Sequence, residues 1–166
     1  VARYFDSEQL HAHSESSIKV TNNNARAIDF GKVATNLLKN LLEGNSVNHA
    51  IENAVTYGSD KTQTYLNKGL SSENDLLSLT KAFGMNCDVG SGMVSVLYNL
   101  RASKSFVDAI RANIYAGGDN CGRSTLLGAA AGIHFGIGGE NGIPKDWIEK
   151  LSQSEKVLEQ IDQLLK

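Results

Sequence analysis

The chain has 166 residues, with 16 Lys and Arg against 18 Asp and Glu, and a formal net charge of −2. A near-neutral chain with no Lys/Arg cluster excludes an electrostatically driven nucleic-acid binder. The longest uncharged run, sixteen residues from Ser124 to Gly139, is broken by glycines and too short to cross a bilayer.

Two cysteines do not make a disulfide scaffold, so the composition reads as a soluble, reducing-compartment (cytoplasmic) protein. Residues 1–166 are expected to form a single domain. Val1 opens the chain with neither an initiator Met nor a signal-peptide pattern, which reads as a cut or partial product.

Val1 to Ala25 is polar and poorly periodic, with the run Asn22, Asn23, Asn24 near its end. It reads as an extended arm or loop, and residues 26–166 as the helical part. Ala27, Phe30, Val33, Ala34, Leu37, Leu38, Leu41 and Leu42 recur at three- and four-residue steps, the stripe of a long helix stopped at Gly44. Ser46 is placed to cap a second helix carrying Val47, Ala50, Ile51, Ala54 and Val55 and ending at Gly58. Ser59 to Lys68 reads as a third, closed by Gly69. Ser72 with Asp75, Ser105 with Asp108, and Ser152 with Glu155 resemble capping boxes for three more helices. Pro144 suits the first position of a helix over Lys145 to Leu151. One proline in the whole chain, and no sustained apolar/polar alternation, make the fold class all-α, a compact multi-helix bundle.

Nine of the sixteen glycines lie between Gly117 and Gly142, which directs attention to two loops. The first is Gly117-Gly118-Asp119-Asn120-Cys121-Gly122-Arg123-Ser124, between a helix that ends there and one continuing through Leu126, Leu127, Ala130, Ile133 and Phe135. Gly128, Gly132 and Gly136 give that second helix a bare stripe, which predicts a central position with a neighbouring backbone close by. Asp119 has two readings, an N-cap or a ligand-binding acid. Arg123 opposes the helix dipole, so it needs an anionic partner or exposure to solvent.

The second loop is Gly84-Met85-Asn86-Cys87-Asp88-Val89-Gly90-Ser91-Gly92, before a helix carrying Met93, Val96, Leu97 and Leu100. No Gly-Lys-Ser/Thr follows, so it is not a P-loop. His11, His13, His49 and His134 form no metal-ligand pattern.

Taken together, Gly117-Gly118-Asp119, the Gly/Ala-rich helix, then Gly142-Ile143-Pro144-Lys145-Asp146-Trp147 and Leu151 resemble the C-terminal end of the ADP-ribosylglycohydrolases. That family reads Gly-Gly-Asp-Thr-Asp-Thr, a Gly/Ala-rich helix, then Ile-Pro and a Trp-containing helix. Val20-Thr21-Asn22-Asn23 and the Gly84 to Gly92 loop occur in the family's order. The wording around Cys87 and Gly117 to Ser124 is similar to the J1-crystallin branch.

The resemblance implies an all-α fold with a cleft for ADP-ribose and a pair of Mg²⁺ or Mn²⁺ ions held by carboxylates. It implies a metal ligand at Asp119, and ligand contacts from Cys87, Asp88, Gly90, Gly117, Gly118, Asn120, Cys121 and Arg123. It also implies that Cys87 and Cys121 are neighbours in that cleft, near Asp119 and Asp88. A helix start beside Arg123 favours ionisation of Cys121, which Asp119 opposes.

The chain departs from the pattern at the second acid, replaced by Cys121, and at the following Thr, replaced by Gly122. Cys87-Asp88 stands where the family often has Gly-Tyr, and the N-terminal Thr-Asp-Asp run is absent. The chain thus resembles the C-terminal half of such a domain. The expected partners are an ADP-ribose-like small molecule and either the other half of the domain or another copy of the chain, with no nucleic acid and no membrane. The implied activity is metal-assisted hydrolysis of a ribosyl bond in an ADP-ribosylated substrate. The alternative is an inactive structural or ligand-binding protein of J1-crystallin type, and a third reading is thiol chemistry at Cys87 or Cys121.

Overall fold

A computed structural model describes residues 1–164, and the last two positions, Leu165 among them, lie outside the described residues. A 3-10 turn at Ala2–Tyr4 precedes ten α-helices: α1 (Leu10–Thr21), α2 (Ala25–Leu42), α3 (Val47–Val55), α4 (Asp60–Leu70), α5 (Leu76–Phe83), α6 (Val89–Ala102), α7 (Phe106–Tyr115), α8 (Asn120–Phe135), α9 (Lys145–Glu149) and α10 (Ser154–Leu164). The all-α expectation is met. One isolated parallel bridge, Ile137 with Ile143, brings the α8–α9 connection back on itself.

Helix starts follow local chemistry. Asn24, Ser46, Ser59, Asp75, Asp88, Ser105 and Asp119 each accept a hydrogen bond from a backbone N–H of the first turn. Asp75, not Ser72, caps α5, and α10 begins at Ser154, two residues past Ser152. Pro144 occupies the N-cap of α9 and not its first helical position.

The polar N-terminal segment is a correction. Leu10–Thr21 is a helix, although only Leu10 is buried in it. Periodicity misses such a helix because its contact with α2 is made by few apolar residues. Ile18 lies over Gly31, where a Cβ would stand 2.3 Å from Ile18 Cδ1, so α1 crosses α2 at a bare position. His13 stacks on Tyr4 and His11 on Tyr57, which gives these histidines aromatic partners.

The centre of the bundle belongs to α6, not to the glycine-striped α8. Met93, Val94, Val96, Leu97 and Leu100 are buried, and α6 packs against α2, α3, α4, α5, α7 and α8. Its close approach is to α4, where a Cβ on Gly69 would stand 2.3 Å from Val94 Cγ1. By contrast, a Cβ at Gly128 or Gly136 would meet nothing within 4 Å. The core therefore uses the Leu127, Ala130 and Ala131 face of α8, and the stripe lies to one side of it.

Candidate functional site

The starts of α2, α6 and α8 meet at one groove of about 690 Å³, together with the end of α1. Asn24, Asp88 and Asp119 are the N-caps of the three helices, and all three line it. The floor is apolar, with Phe30, Met93 and Leu126 among its residues.

The loop before α8 is locked to the loop before α6 through the main chain. The Asp119 N–H donates to the Met85 carbonyl at 3.0 Å. This approach requires glycine at 118, whose φ is +61° and whose Cβ would stand 2.4 Å from the Met85 oxygen. Asp119 Oδ1 accepts from the Gly122 N–H at 3.1 Å. A Cβ at Gly122 would stand 2.3 Å from Asp119 Oδ2, so the family's Thr at this position is incompatible with the carboxylate as it sits here.

Asp88 is held from two directions. Its Oδ2 accepts from the Gly90 and Ser91 N–H groups at 3.0 Å each, and Arg26 Nη2 donates to both carboxylate oxygens at 2.8 Å. Burial works against its ionisation, but the Ser91 amide, the Arg26 charge and hydrogen bond, and the Gly90 amide outweigh it and keep the carboxyl below the usual range. Gly90 leaves the space in which the guanidinium sits, since a Cβ there would stand 2.6 Å from Arg26 Nη2.

Cys87 lies beside these acids. Hydrogen bonding to Asp119 and its negative charge, with smaller contributions from burial and Asp88, push the thiol above its ordinary value. Cys121 is exposed and absent from the groove lining, its Sγ 3.9 Å from Asn120 Oδ1. Cys87 therefore lines the groove and Cys121 does not. The reason is helical phase: positions 119, 122, 123 and 126 share the face that lines the groove, and 121 points elsewhere.

Arg123 is also reassigned. It is only 6% exposed, and it serves the end of the preceding helix. Nε donates to Asn113 Oδ1 at 2.7 Å, while Nη2 donates to the Asn113 and Gly117 carbonyls at 3.3 and 2.5 Å. Burial lowers its pKa, an effect opposed by Asp119. The partner that a cation at this position needs is the carbonyl-rich end of α7. Its stem borders the groove, but its donors are engaged below it. Asn113 Nδ2 in turn donates to the Asn120 carbonyl and Ser124 Oγ at 2.9 Å each. Gly117 and Gly118 lie in the loop before α8, Gly90 and Asn120 in the first turns of α6 and α8, and none of the four lines the groove.

Sequence reasoning did not single out Asn24, Arg26 or Asn86, which also line the groove. Asn24 carried a legible N-cap signal. Arg26 carried none, because its partner is 62 positions away.

Among the described residues, no group of three or more His, Cys, Asp or Glu is placed to hold a metal ion. Mg²⁺ and Mn²⁺ take oxygen ligands, and here the Asp88 oxygens are engaged by Arg26 and two amides. Asp119 has Oδ2 left over, beside a thiol that favours its protonated form. These residues by themselves do not fit a pair of hard cations.

An all-α bundle with a capped Gly-Gly-Asp turn at a helix start beside a second glycine-rich loop defines the class. The chain belongs to the ADP-ribosylglycohydrolase family, whose model matches residues 1–166. Crystallin J1A of Tripedalia cystophora is a relative, 25% identical over 172 residues that cover 100% of this chain and 51% of that protein. The chain thus spans about half the length of the curated relative it matches. No described helix is long and apolar enough to cross a membrane.

Proposed function

We propose that this chain forms one wall of an ADP-ribose-type cleft that binds its ligand without hydrolysing it. The observation that carries this reading is the state of the two acids: Asp88 is tied to Arg26 and two amides, and Asp119 caps α8 next to a protonated thiol. General acid–base or metal-assisted work needs carboxylate oxygens that are free to change partner.

Binding needs less. A groove of about 690 Å³ is within the size range of small-molecule sites. Asn22, Asn24 and Asn86 offer neutral donors and acceptors suited to ribose hydroxyls, and Arg26 offers a cation to a diphosphate. Val89 supplies exposed apolar surface.

The second reading is a metal-dependent ribosyl hydrolase in which a complementary half supplies the remaining acids. Asp119, which lines the groove and caps α8 through Oδ1, favours it. Calorimetric titration with ADP-ribose, in EDTA and again with Mg²⁺ or Mn²⁺, separates the two. Equal affinity in both media, with no product release from ADP-ribosylated peptides, is expected. Metal-dependent turnover would establish the hydrolase.

A further inference from the structure

A groove of about 940 Å³ runs between the first turns of α2 and the length of α4, outside the site above although Arg26 and Phe30 border both. Ala25, Ile28 and Tyr65 supply apolar surface, and Arg26, Lys32, Lys61 and Lys68 also line it. Two acids offset these cations, and Asp29 is engaged by Ser59 and Thr62. Arg26 pairs with Asp88, and Lys32 lies 4.0 Å from Glu15, while Lys61 and Lys68 make no ion pair among the described residues.

At the other end of the described chain, α10 has the complementary character. Val157, Leu158, Ile161 and Leu164 form one apolar face, each at least 40% exposed, and no α10 residue is buried. Glu155, Glu159 and Asp162 outnumber Lys156 on the rest of its surface. A helix with so regular a stripe gains most of its stability from covering that face.

We propose that the α2–α4 groove receives α10 from a second copy of this chain, the two copies exchanging α10 reciprocally. Lengths and charges agree. α4 and α10 have 11 residues each. Lys61 and Lys68 on α4 are seven positions apart, as are Glu155 and Asp162 on α10. At a rise of ~1.5 Å per residue, both pairs span ~10.5 Å along their helices. The apolar face of α10 enters the groove, and its acids meet the two unpaired lysines. Reciprocal exchange closes as a two-fold dimer, whereas one-way docking would propagate into open chains.

Sedimentation velocity and light scattering on the full chain test this, with circular dichroism to verify that each variant is folded. The altered side chains, Ile161 included, are all exposed. A dimer is expected, with Ile161→Asp weakening it about 100-fold. Lys61→Glu with Lys68→Glu weakens it about tenfold, as does Glu155→Lys with Asp162→Lys. Combining the two reversals restores the dimer. A monomer overturns the proposal. So does a dimer lost in Ile161→Asp but indifferent to Lys61 and Lys68, which would mean that α10 pairs with itself. Failure of the combined reversal to restore the dimer also overturns it.

Discussion

Arg26 Nη2 sits 2.8 Å from both carboxylate oxygens of Asp88, joining the start of α2 to the start of α6 across 62 positions of sequence. Asp88 is also the N-cap of the central helix, so one side chain serves a local and a long-range contact. The guanidinium is half exposed, which limits what the ion pair contributes. Asp88→Ala should therefore destabilise the fold by about 1–2 kcal/mol, chiefly through the lost cap. Arg26→Ala should cost less than about 1 kcal/mol. Urea unfolding of the two variants measures the difference, and equal losses would show the ion pair to be the larger contribution.

Acid should unfold the protein through its hydrogen-bonded carboxylates. Asp29, Asp75 and Asp88 are all held below the ordinary value, by hydroxyl and amide donors and, at Asp88, by Arg26. A depressed folded-state pKa gives stability that is fully present above the unfolded value near ~3.9 and is lost as pH falls through the folded one. Stability measured by urea midpoints should thus be flat with respect to these groups above about pH 5 and should fall below about pH 4. Asp88→Asn should reduce the steepness of that fall.

Two glycine-to-alanine changes should have opposite signs. At Gly118 the backbone is left-handed and the Met85 carbonyl occupies the Cβ position, so Gly118→Ala should cost about 2–3 kcal/mol and loosen the contact between the loops. At Gly128 a Cβ meets open space inside a helix, so Gly128→Ala should stabilise by about 0.5–1 kcal/mol. Thermal melts of both variants give the comparison.

Arg123→Met removes the donors that satisfy Asn113 Oδ1 and the Asn113 and Gly117 carbonyls. A loss of about 2–4 kcal/mol is expected, because acceptors at a buried site are left without partners. Arg123→Lys should recover little of it, since a point cation cannot span these acceptors as a planar fork does. Chemical denaturation of the two variants decides.

The thiols should react at different rates. Asp119 raises the Cys87 pKa, so Asp119→Asn should speed alkylation of Cys87 at least threefold at pH 7.5, while Cys121, outside the groove, should be little affected. Mass-resolved iodoacetamide labelling reads both sites at once. Equal acceleration at the two cysteines would place them in one electrostatic environment and contradict the helical phase described above.

Local chemistry was written in the sequence. The stripe from Phe30 to Leu42, the single proline, and the caps at Ser46, Ser59 and Ser105 define helices without reference to anything distant, because these signals act within a turn or two. The Gly117-Gly118-Asp119 turn and its family were legible for the same reason. Tertiary structure decided what each helix faces. Leu10 and Ile18 hold α1 in place although its pattern is polar, and α6 takes the centre that the stripe on α8 suggested for α8. Arg123 turns inward to the carbonyls of α7, Arg26 finds Asp88, and Cys87 joins Asp119 while Cys121 points away. Each of these depends on helix phase and crossing. Residue types along one helix do not encode them, because the packing of several helices together selects which face is covered.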